Sequence, residues 1–491
     1  MALESGVPGA GLIYLKARVG VGWHDAGMVH TAASPAIAFD ADLIRKYDRF
    51  GPRYTSYPTA DRFTEAFTGD HLANALRNRQ AVGAPLSLYV HLPFCNTICY
   101  YCACNKIVTR DHGRSAKYIR YLEKEVAQLS ALVAPAAAVR QLHWGGGTPT
   151  FLSAAEMARL MSVLRDHFAF EPDAELSIEI DPRQADAASI ALLSGLGFNR
   201  MSLGVQDFNP EVQKAVNRIQ SEAETRAVLD AARAHGFQSI NVDLIYGLPR
   251  QTVAGFGRTL DRVIEAAPDR IALYSYAHVP HLFKPQRRIS EAELPTPDTK
   301  LALLELAIDK LTGAGYVYIG MDHFAKPSDE LAVAQREGKL QRNFQGYSTH
   351  ADCDLLSIGI SAIGKIGATY SQNLRTLDGY YTRLDADVSP CFRGWQLSAD
   401  DRLRRDVIQA LMCQFTVAFE RVEAMHGIAF HEYFATELRE LEALADDGLV
   451  EIAADALTVT RRGRLLVRSV AMLFDRYLRE QREQARYSRV I

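Results

Sequence analysis

A chain of 491 residues, 48% hydrophobic and 23% charged, is long enough to bury at least one large core and to carry two or three domains. Its formal net charge of −3 leaves no basic footprint, which argues against extended nucleic-acid binding, so an acidic ligand has to be met by local arginines. No run of about 18 apolar residues occurs, and no membrane span is expected.

The first 37 residues hold Gly, Pro and Ala without an apolar period, carry no basic residue before Lys16, and place His24 and Asp25 where a secretory core would lie. Residues 1–37 read as a loose tail, with Met28 as an alternative start. Without an export signal a reducing cytoplasm is expected, where disulfides do not persist. An N-terminal arm over residues 38–85 contains "GPRYTSYPTA". Six strand-like runs follow: "LSLYVHL" (86–92), "VRQLHWG" (139–145), "ELSIEID" (175–181), "RMSLGVQ" (200–206), "SINVDLIYG" (239–247) and "RIALYSYAHV" (270–279). Each is followed by a Gly, Pro or polar loop and, in most cases, by an amphipathic stretch such as "YIRYLEKEVAQLSAL".

Repeated βα units predict a parallel sheet, open and doubly wound or curled toward a barrel, and six units are two short of a full barrel. In either architecture ligands sit at the carboxyl ends of the strands. Tyr89, Gly145, Gly146, Gly147, Glu179, Gln206, Asp243 and Ala277 fall there, which predicts a single cleft. From about residue 375 the pattern changes to helices ("ADDRLRRDVIQALMCQF", "FATELRELEALADDGLV"), a short hairpin in "LVEIAADALTVTRRG" and a closing helix in "RLLVRSVAMLFDRYL". This predicts a mainly helical, winged-helix-like domain over 375–491. With no basic excess, a packing or lid role is expected of it rather than DNA binding.

Four of the seven cysteines lie within ten residues, as Cys95-x3-Cys99-x2-Cys102-x-Cys104. Thiolates at this density hold zinc or iron–sulfur. Structural zinc prefers ligand pairs separated by a longer loop, whereas an iron–sulfur cluster accepts a close run. If Cys95, Cys99 and Cys102 bind a four-iron cluster, one iron is left open to a small molecule with adjacent amine and carboxylate groups, such as the methionine end of S-adenosylmethionine. Cys353, Cys391 and Cys413 are isolated and are expected as buried thiols. The loop Gly145-Gly146-Gly147-Thr148 follows a strand, so bare backbone can approach a ligand, or simply turn. Glu179 suits a hydroxyl pair or a cationic ligand, or is a solvated strand end.

The Cx3Cx2C run at the end of the first strand resembles the radical S-adenosylmethionine superfamily. Together with "GPRYTSYPTA", "YVHLPFC", "CNKIVTR", "LHWGGGTPT", "IEIDPR", "GVQDFN", "DLIYGLP", "MDHFA" and "NFQGY", it resembles the oxygen-independent coproporphyrinogen III oxidases, from about residue 38 to the terminal "YSRVI". The resemblance implies a partial (βα)6 barrel over residues 86–374 with its extension, and a helical C-terminal domain. It implies oxidative decarboxylation of two propionate side chains of coproporphyrinogen III to vinyl groups, giving protoporphyrinogen IX. A 5′-deoxyadenosyl radical would take a hydrogen from the propionate β-carbon, and CO2 and one electron would then be lost. An electron donor and an acceptor are implied, both unidentified; a monomer is expected.

By the same resemblance Cys95, Cys99 and Cys102 would hold a [4Fe-4S] cluster. Gly146, Gly147, Thr148, Glu179, Tyr89 and Ile363 would contact S-adenosylmethionine. A second S-adenosylmethionine would meet Tyr101, Gly147, Thr148, Gln206, Arg218, Asp243 and Ala277; position 101 is often Phe in the family, and Tyr keeps the ring. Cys104 would serve the reaction without ligating iron, and it separates the enzymes from a haem chaperone on the same scaffold, which has an aromatic residue there. For the substrate carboxylates, Arg53, Lys106 and Arg110 are candidates against ordinary solvated cations. His91, His143 and His323 are expected as satisfied core or loop histidines rather than proton shuttles.

Overall fold

The computed structural model describes residues 37–79, 83–133 and 137–480. The chain divides into two units, residues 1–33 and 34–491. The first lies outside the described residues, as do nearly all of the expected tail and the terminal "YSRVI"; the described residues all belong to the second.

All six predicted strands form, as β1 (Leu86–Leu92), β2 (Ala138–Gly146), β3 (Ala169–Ile180), β4 (Arg200–Gln206), β5 (Ser239–Tyr246) and β6 (Arg270–Ser275). They pair side by side in parallel, in chain order. The last was expected to run to residue 279. It stops at Ser275 because its neighbour β5 ends at Tyr246, whose carbonyl takes the Tyr276 N–H and leaves nothing further to pair with.

The sheet is larger than the six units. Strands β7 (Val317–Gly320) and β8 (His323–Ala325) add antiparallel beyond β6, while β9 (Asp354–Ile358) adds parallel on the far side of β1. Antiparallel β10 (Ile363–Ile366), β11 (Thr369–Asn373) and β12 (Cys391–Gln396) continue from there. The order is β12-β11-β10-β9-β1-β2-β3-β4-β5-β6-β8-β7, with no ladder joining β12 to β7. Strand β12 belongs to this sheet although it lies beyond residue 374.

Side chains of a strand alternate between its two faces, and here the faces differ in chemistry. Toward the helices point Leu86, Leu88 and Val90; Leu142 and Trp144; Leu176 and Ile178; Leu203 and Val205; Val242 and Leu244; and Ile271 and Leu273, none more than 5% exposed. The helices Gly113–Ser130, Ala154–His167, Glu222–Ala234 and Val253–Ala266 cover that layer. Helix Gly113–Ser130 offers Tyr118, Ile119, Leu122, Val126 and Leu129, the three–four spacing of a single buried stripe. Each such side chain contributes about 1.5–3 kcal/mol by leaving water. The opposite face carries Ser87, Tyr89, Gln141, His143, Glu175, Ser177, Ser202, Asn241, Asp243 and Tyr274, linked strand to strand. Ser87 donates to Gln141 at 2.7 Å, and Gln141 donates to Glu175 at 2.8 Å. His350 lies 3.6 Å from Glu175. Burial pushes Glu175 up, but His350 and Arg270 outweigh it and hold the carboxyl down to about 2.

In the C-terminal part, helices Ala399–Gln414, Phe419–His426 and Ala435–Asp446 pack with a three-stranded sheet. To the expected hairpin, Val450–Ile452 and Ala456–Val459, the strand Thr416–Ala418 is added at one edge. The predicted closing helix is broken. Arg464–Leu466 and Met472–Phe474 are 3₁₀ turns around a five-residue helix, and the chain is extended at Asp475 before Arg476–Glu480. The break is made by Asp475, a buried side chain that accepts from Tyr54 Oη at 3.1 Å and caps the following turn through Tyr477 N at 3.0 Å. Arg468, 2% exposed, donates to the carbonyls of Gly51 and Pro52, and Ser469 Oγ donates to the Tyr47 carbonyl. The "GPRYTSYPTA" arm is thus fastened to the end of the chain. No helix among the described residues is long and apolar enough to cross a membrane.

Beneath the β9–β10 turn, Glu125 is buried and accepts from Tyr380 Oη, from Gly359 N at 2.7 Å and from Asn373 Nδ2 at 2.6 Å. Burial wins over these donors and pushes its carboxyl up from 4.5 to about 7. A raised folded-state pKa stabilises fully below the unfolded value, and that contribution is lost as pH rises through about 7. Glu125→Gln, which cannot ionise, removes this dependence. Between pH 4.5 and 8 the wild type is expected to lose about 3 kcal/mol relative to the variant. Parallel stability–pH curves for the two proteins would contradict it.

Candidate active site

Cys95 ends a two-residue strand, Phe94–Cys95, that pairs in parallel with Ile107–Val108, so the cysteine loop leaves and returns at one point above β1. Neighbouring loops hold it from three sides. Asn96 Nδ2 donates to Gln184 at 2.6 Å, Tyr100 N to the Val216 carbonyl at 2.9 Å, and Asn217 Nδ2 to the Ile98 carbonyl at 2.7 Å. From below, His91 Nε2 lies 2.9 Å from the Asn105 carbonyl, which can only accept. The proton therefore sits on Nε2, and Nδ1 accepts from Tyr89 Oη at 2.9 Å. Burial pulls His91 down and keeps it neutral, a satisfied histidine that supports the loop. Lys106 Nζ is spent on the carbonyls of Cys102 and Cys104, at 3.2 and 3.4 Å.

All four thiols of the loop are free, those of Cys95, Cys99 and Cys102 half-buried and that of Cys104 exposed. Thr148 Oγ1 donates to Cys95 Sγ at 3.5 Å. Arg183 Nη2 and Arg218 Nη1 both donate to Cys99 Sγ, at 3.7 and 3.6 Å. A hydrogen bond between the thiols of Cys104 and Cys102 pulls Cys102 down to about 6, with the Lys106 charge assisting, and pushes Cys104 up. Burial pushes Cys95 up to about 11.

Among the described residues no three His, Cys, Asp or Glu side chains converge on one ion position. A four-iron cluster takes its thiolates at separate corners instead, and hydrogen bonds to the sulfurs are what tune it. A set of three soft thiols, with hydroxyl and guanidinium donors on the sulfurs of Cys95 and Cys99, fits such a cluster.

Beside the thiols, the loop after β2 threads between strands. Gly147 N donates to the Leu92 carbonyl and Thr148 N to the Phe94 carbonyl, both at 2.8 Å. A Cβ on Gly147 would lie 2.6 Å from the Pro93 carbonyl carbon, so only glycine permits this approach. Gly146 has φ +113° and donates its N–H to Glu179 Oε2 at 2.9 Å. His143, stacked on Tyr89 with ring centroids 5.9 Å apart, lies 3.5 Å from the same carboxylate. Burial pushes Glu179 up, but His143 and the Gly146 N–H reverse the effect and hold it below the usual carboxylate range. Glu179 is therefore a fixed negative charge at neutral pH.

Across the cleft Gln206 sits at φ +68° at the end of β4. Arg218, 6% exposed, donates to the Gly204 carbonyl and pairs with Asp181 at 3.3 Å; Asp181 also holds Arg183. Two guanidiniums with one carboxylate leave a positive charge beside Cys99. Asp243 accepts from Ser202 Oγ at 2.9 Å and Asn241 Nδ2 at 2.8 Å, and burial pushes its carboxyl up to about 6. Gln286 Nε2 bridges the carbonyls of Tyr101 and Ala277, at 3.1 and 3.2 Å, tying the cysteine loop to the end of β6. Ile363 opens β10, two strands from β1.

Of the expected carboxylate binders, Arg110 is exposed and Lys106 serves the loop, whereas Arg53 turns inward, pairs with Asp322 and has Tyr274 beside it. The sequence reading missed Asp181, Arg183, Asn241, Tyr274 and Arg342. The two-residue period of the strands could have found Asn241 and Tyr274, and Asp181 stands in the quoted "IEIDPR".

The Radical SAM superfamily profile matches residues 89–263, and that of the HemN C-terminal domain matches residues 397–466. The oxygen-independent coproporphyrinogen III oxidase of Pseudomonas aeruginosa is 54% identical over 457 residues, covering 93% of this chain and 99% of the relative. That of Escherichia coli is 50% identical over 455 residues. A solved structure described as "Coproporphyrinogen III oxidase (HemN) from Escherichia coli is a Radical SAM enzyme" superposes with a TM-score of 0.87, covering 90% of this chain and all of that one. With thiols, glycine loop and strand-end carboxylate arranged in this way, these likenesses establish that the chain belongs to the family of oxygen-independent coproporphyrinogen III oxidases, within the radical S-adenosylmethionine superfamily.

Proposed function

We propose that the chain converts two propionate side chains of coproporphyrinogen III to vinyl groups, giving protoporphyrinogen IX in haem biosynthesis. The observation that carries this reading is the pair of hydrogen bonds from the Gly145–Thr148 loop, Thr148 to the Cys95 thiol and Gly146 to Glu179, at one end of the sheet in a chain of this family. Bound there, a [4Fe-4S] cluster and S-adenosylmethionine would supply single-electron chemistry that removes a hydrogen atom from a propionate β-carbon. Loss of CO2 and of one electron, taken by an acceptor from outside the chain, then completes each alkene.

The residues divide the work by their environments. Cys95, Cys99 and Cys102 hold the iron, while Thr148, Arg183 and Arg218 stabilise thiolate charge. The glycine loop admits a ligand against bare backbone, the charged Glu179 faces its cationic or hydroxyl groups, and Tyr89 and Ile363 flank it. A second S-adenosylmethionine beside Tyr101, Gln206, Arg218, Asp243 and Ala277 belongs to the same reading. So do a cytoplasmic setting, which the seven free thiols suit, and a division of the chain near residues 85 and 396, with β12 kept in the sheet domain. The curated relatives carry the oxidase name, so the haem-chaperone alternative is set aside.

The reading is tested by anaerobic incubation with reductant, S-adenosylmethionine and coproporphyrinogen III; absence of vinyl product would refute it. Replacing Cys95, Cys99 or Cys102 by Ser is expected to abolish the brown absorbance of the reconstituted protein and its iron, and full iron content in any one of them would remove that residue from the ligand set. Cys104→Ser is expected to keep the cluster and some S-adenosylmethionine cleavage but to form little product; unchanged product formation would make Cys104 a bystander. Glu179→Gln keeps shape without charge, and S-adenosylmethionine binding should weaken about ten- to hundredfold with iron retained. An unchanged dissociation constant would make Glu179 structural.

A further inference from the structure

A second polar cluster lies on the same sheet face, on the side of β6 and β8, built partly from residues far away in sequence. Arg53 comes from the N-terminal arm, Tyr274 from β6, His323 from β8, and Arg342 and Tyr347 from the hairpin Gln341–Asn343 and Gly346–Ser348. The Arg53 guanidinium lies 5.9 Å from the Tyr274 ring centre and that of Arg342 lies 4.8 Å from the Tyr347 ring. His323 meets both rings edge to face, at 6.1 and 5.2 Å between centroids. Arg342 Nε donates to the Arg53 carbonyl at 3.3 Å. Asp243 lies on β5, paired in parallel with the strand that carries Tyr274, which puts this cluster beside the proposed cofactor site.

Asp322 pairs with Arg53, whereas no carboxylate among the described residues pairs with Arg342. Arg342 is 4% exposed, yet its Nη1 has no hydrogen-bond partner among the described residues, nor have His323 Nδ1 and Gln345 Nε2 nearby in the same corner. An unpaired cationic N–H is costly to bury. A fold that keeps one there, against aromatic surface, is preorganised for an anion with an apolar stem.

We propose that Arg342, with Arg53 beside it, anchors a carboxylate of the tetrapyrrole, the side-arm methylenes packing on Tyr274 and Tyr347. This rests on the proposed decarboxylase function and adds which carboxylate is held. A guanidinium on a carboxylate that is about to leave as CO2 would stabilise the ground state and oppose the reaction. The anchored group is therefore a propionate that survives the turnover, and the cluster sets which ring is presented to the β-hydrogen abstraction.

The test is equilibrium binding of coproporphyrin III and of its tetramethyl ester to the full-length protein, followed by fluorescence. Wild type is expected to prefer the free acid, and Arg342→Gln to weaken acid binding about ten- to hundredfold while leaving the ester unchanged, with Arg342→Lys in between. In turnover the Gln variant should show a raised KM and an altered order of decarboxylation, with iron content and S-adenosylmethionine binding as in wild type. Equal affinity of wild type for acid and ester, or an unchanged acid affinity in a folded Gln variant, would overturn the anchor. The wild-type acid–ester comparison decides even if the variant fails to fold. Failure of the functional reading is distinct: wild type would form no vinyl product whatever its preference for the acid.

Discussion

The alternation of side chains along six adjoining strands, aliphatic toward the helices and polar toward the other face, is the constraint on which the rest of the molecule depends. Parallel sheets are ordinarily buried on both sides and read as unbroken apolar runs, and the interior of a closed barrel is filled by layers of branched side chains. Here only the helix side is packed that way, with Leu88, Trp144, Ile178, Leu203, Val242 and Leu273 at most 2% exposed. The helices supply the stability, which frees the second face to hold Tyr89, His143, Glu179, Asp243 and Tyr274 without a dry core above them. Their ordering comes from one another, strand to strand, so that the face is rigid as well as polar.

Electrostatics then sorts the acids of that face by role. Glu179 and Asp181 are both held ionised, by His143 and the Gly146 N–H in one case and by two guanidiniums in the other. Asp243 accepts from the neutral donors Ser202 and Asn241, and burial outweighs them and the Arg218 charge and carries it the opposite way. Neighbouring carboxyls thus shift in opposite directions because their partners differ, with Glu179 and Asp181 held down and Asp243 raised to about 6, where it can exchange a proton on mild acidification.

Much of this was legible in the sequence. The six barrel strands showed themselves by length, β-branched or aromatic content and Gly or Pro punctuation, and the cysteine spacing by its density alone. What escaped were elements with no period of their own. Strand β9, "DLLSI", is a five-residue buried run with no helix after it, and β10 to β12 owe their pairing to neighbours rather than to pattern. The closing helix was misread because its 3.6-residue period continues through Asp475, and only the distant Tyr54 hydroxyl shows why the chain stops there. Arg342 escaped for a related reason: an arginine in a single sequence looks solvated until a fold surrounds it.

Arg468 and Ser469 hold the carbonyls of Gly51, Pro52 and Tyr47, so the segment that carries Arg53 is pinned by residues more than four hundred positions later. During synthesis the arm emerges first and its clasp almost last. The residues of the sheet and its helices all precede the clasp, whereas the fastening of the arm must wait for it. A molecule clipped before Arg468 would keep the cysteine loop, the glycine loop and the Asp322 partner of Arg53, but would lose the contacts on the Gly51 and Pro52 carbonyls just before it. Fastening of the arm is in this sense a late step in building the site, since it waits for residues far along the chain.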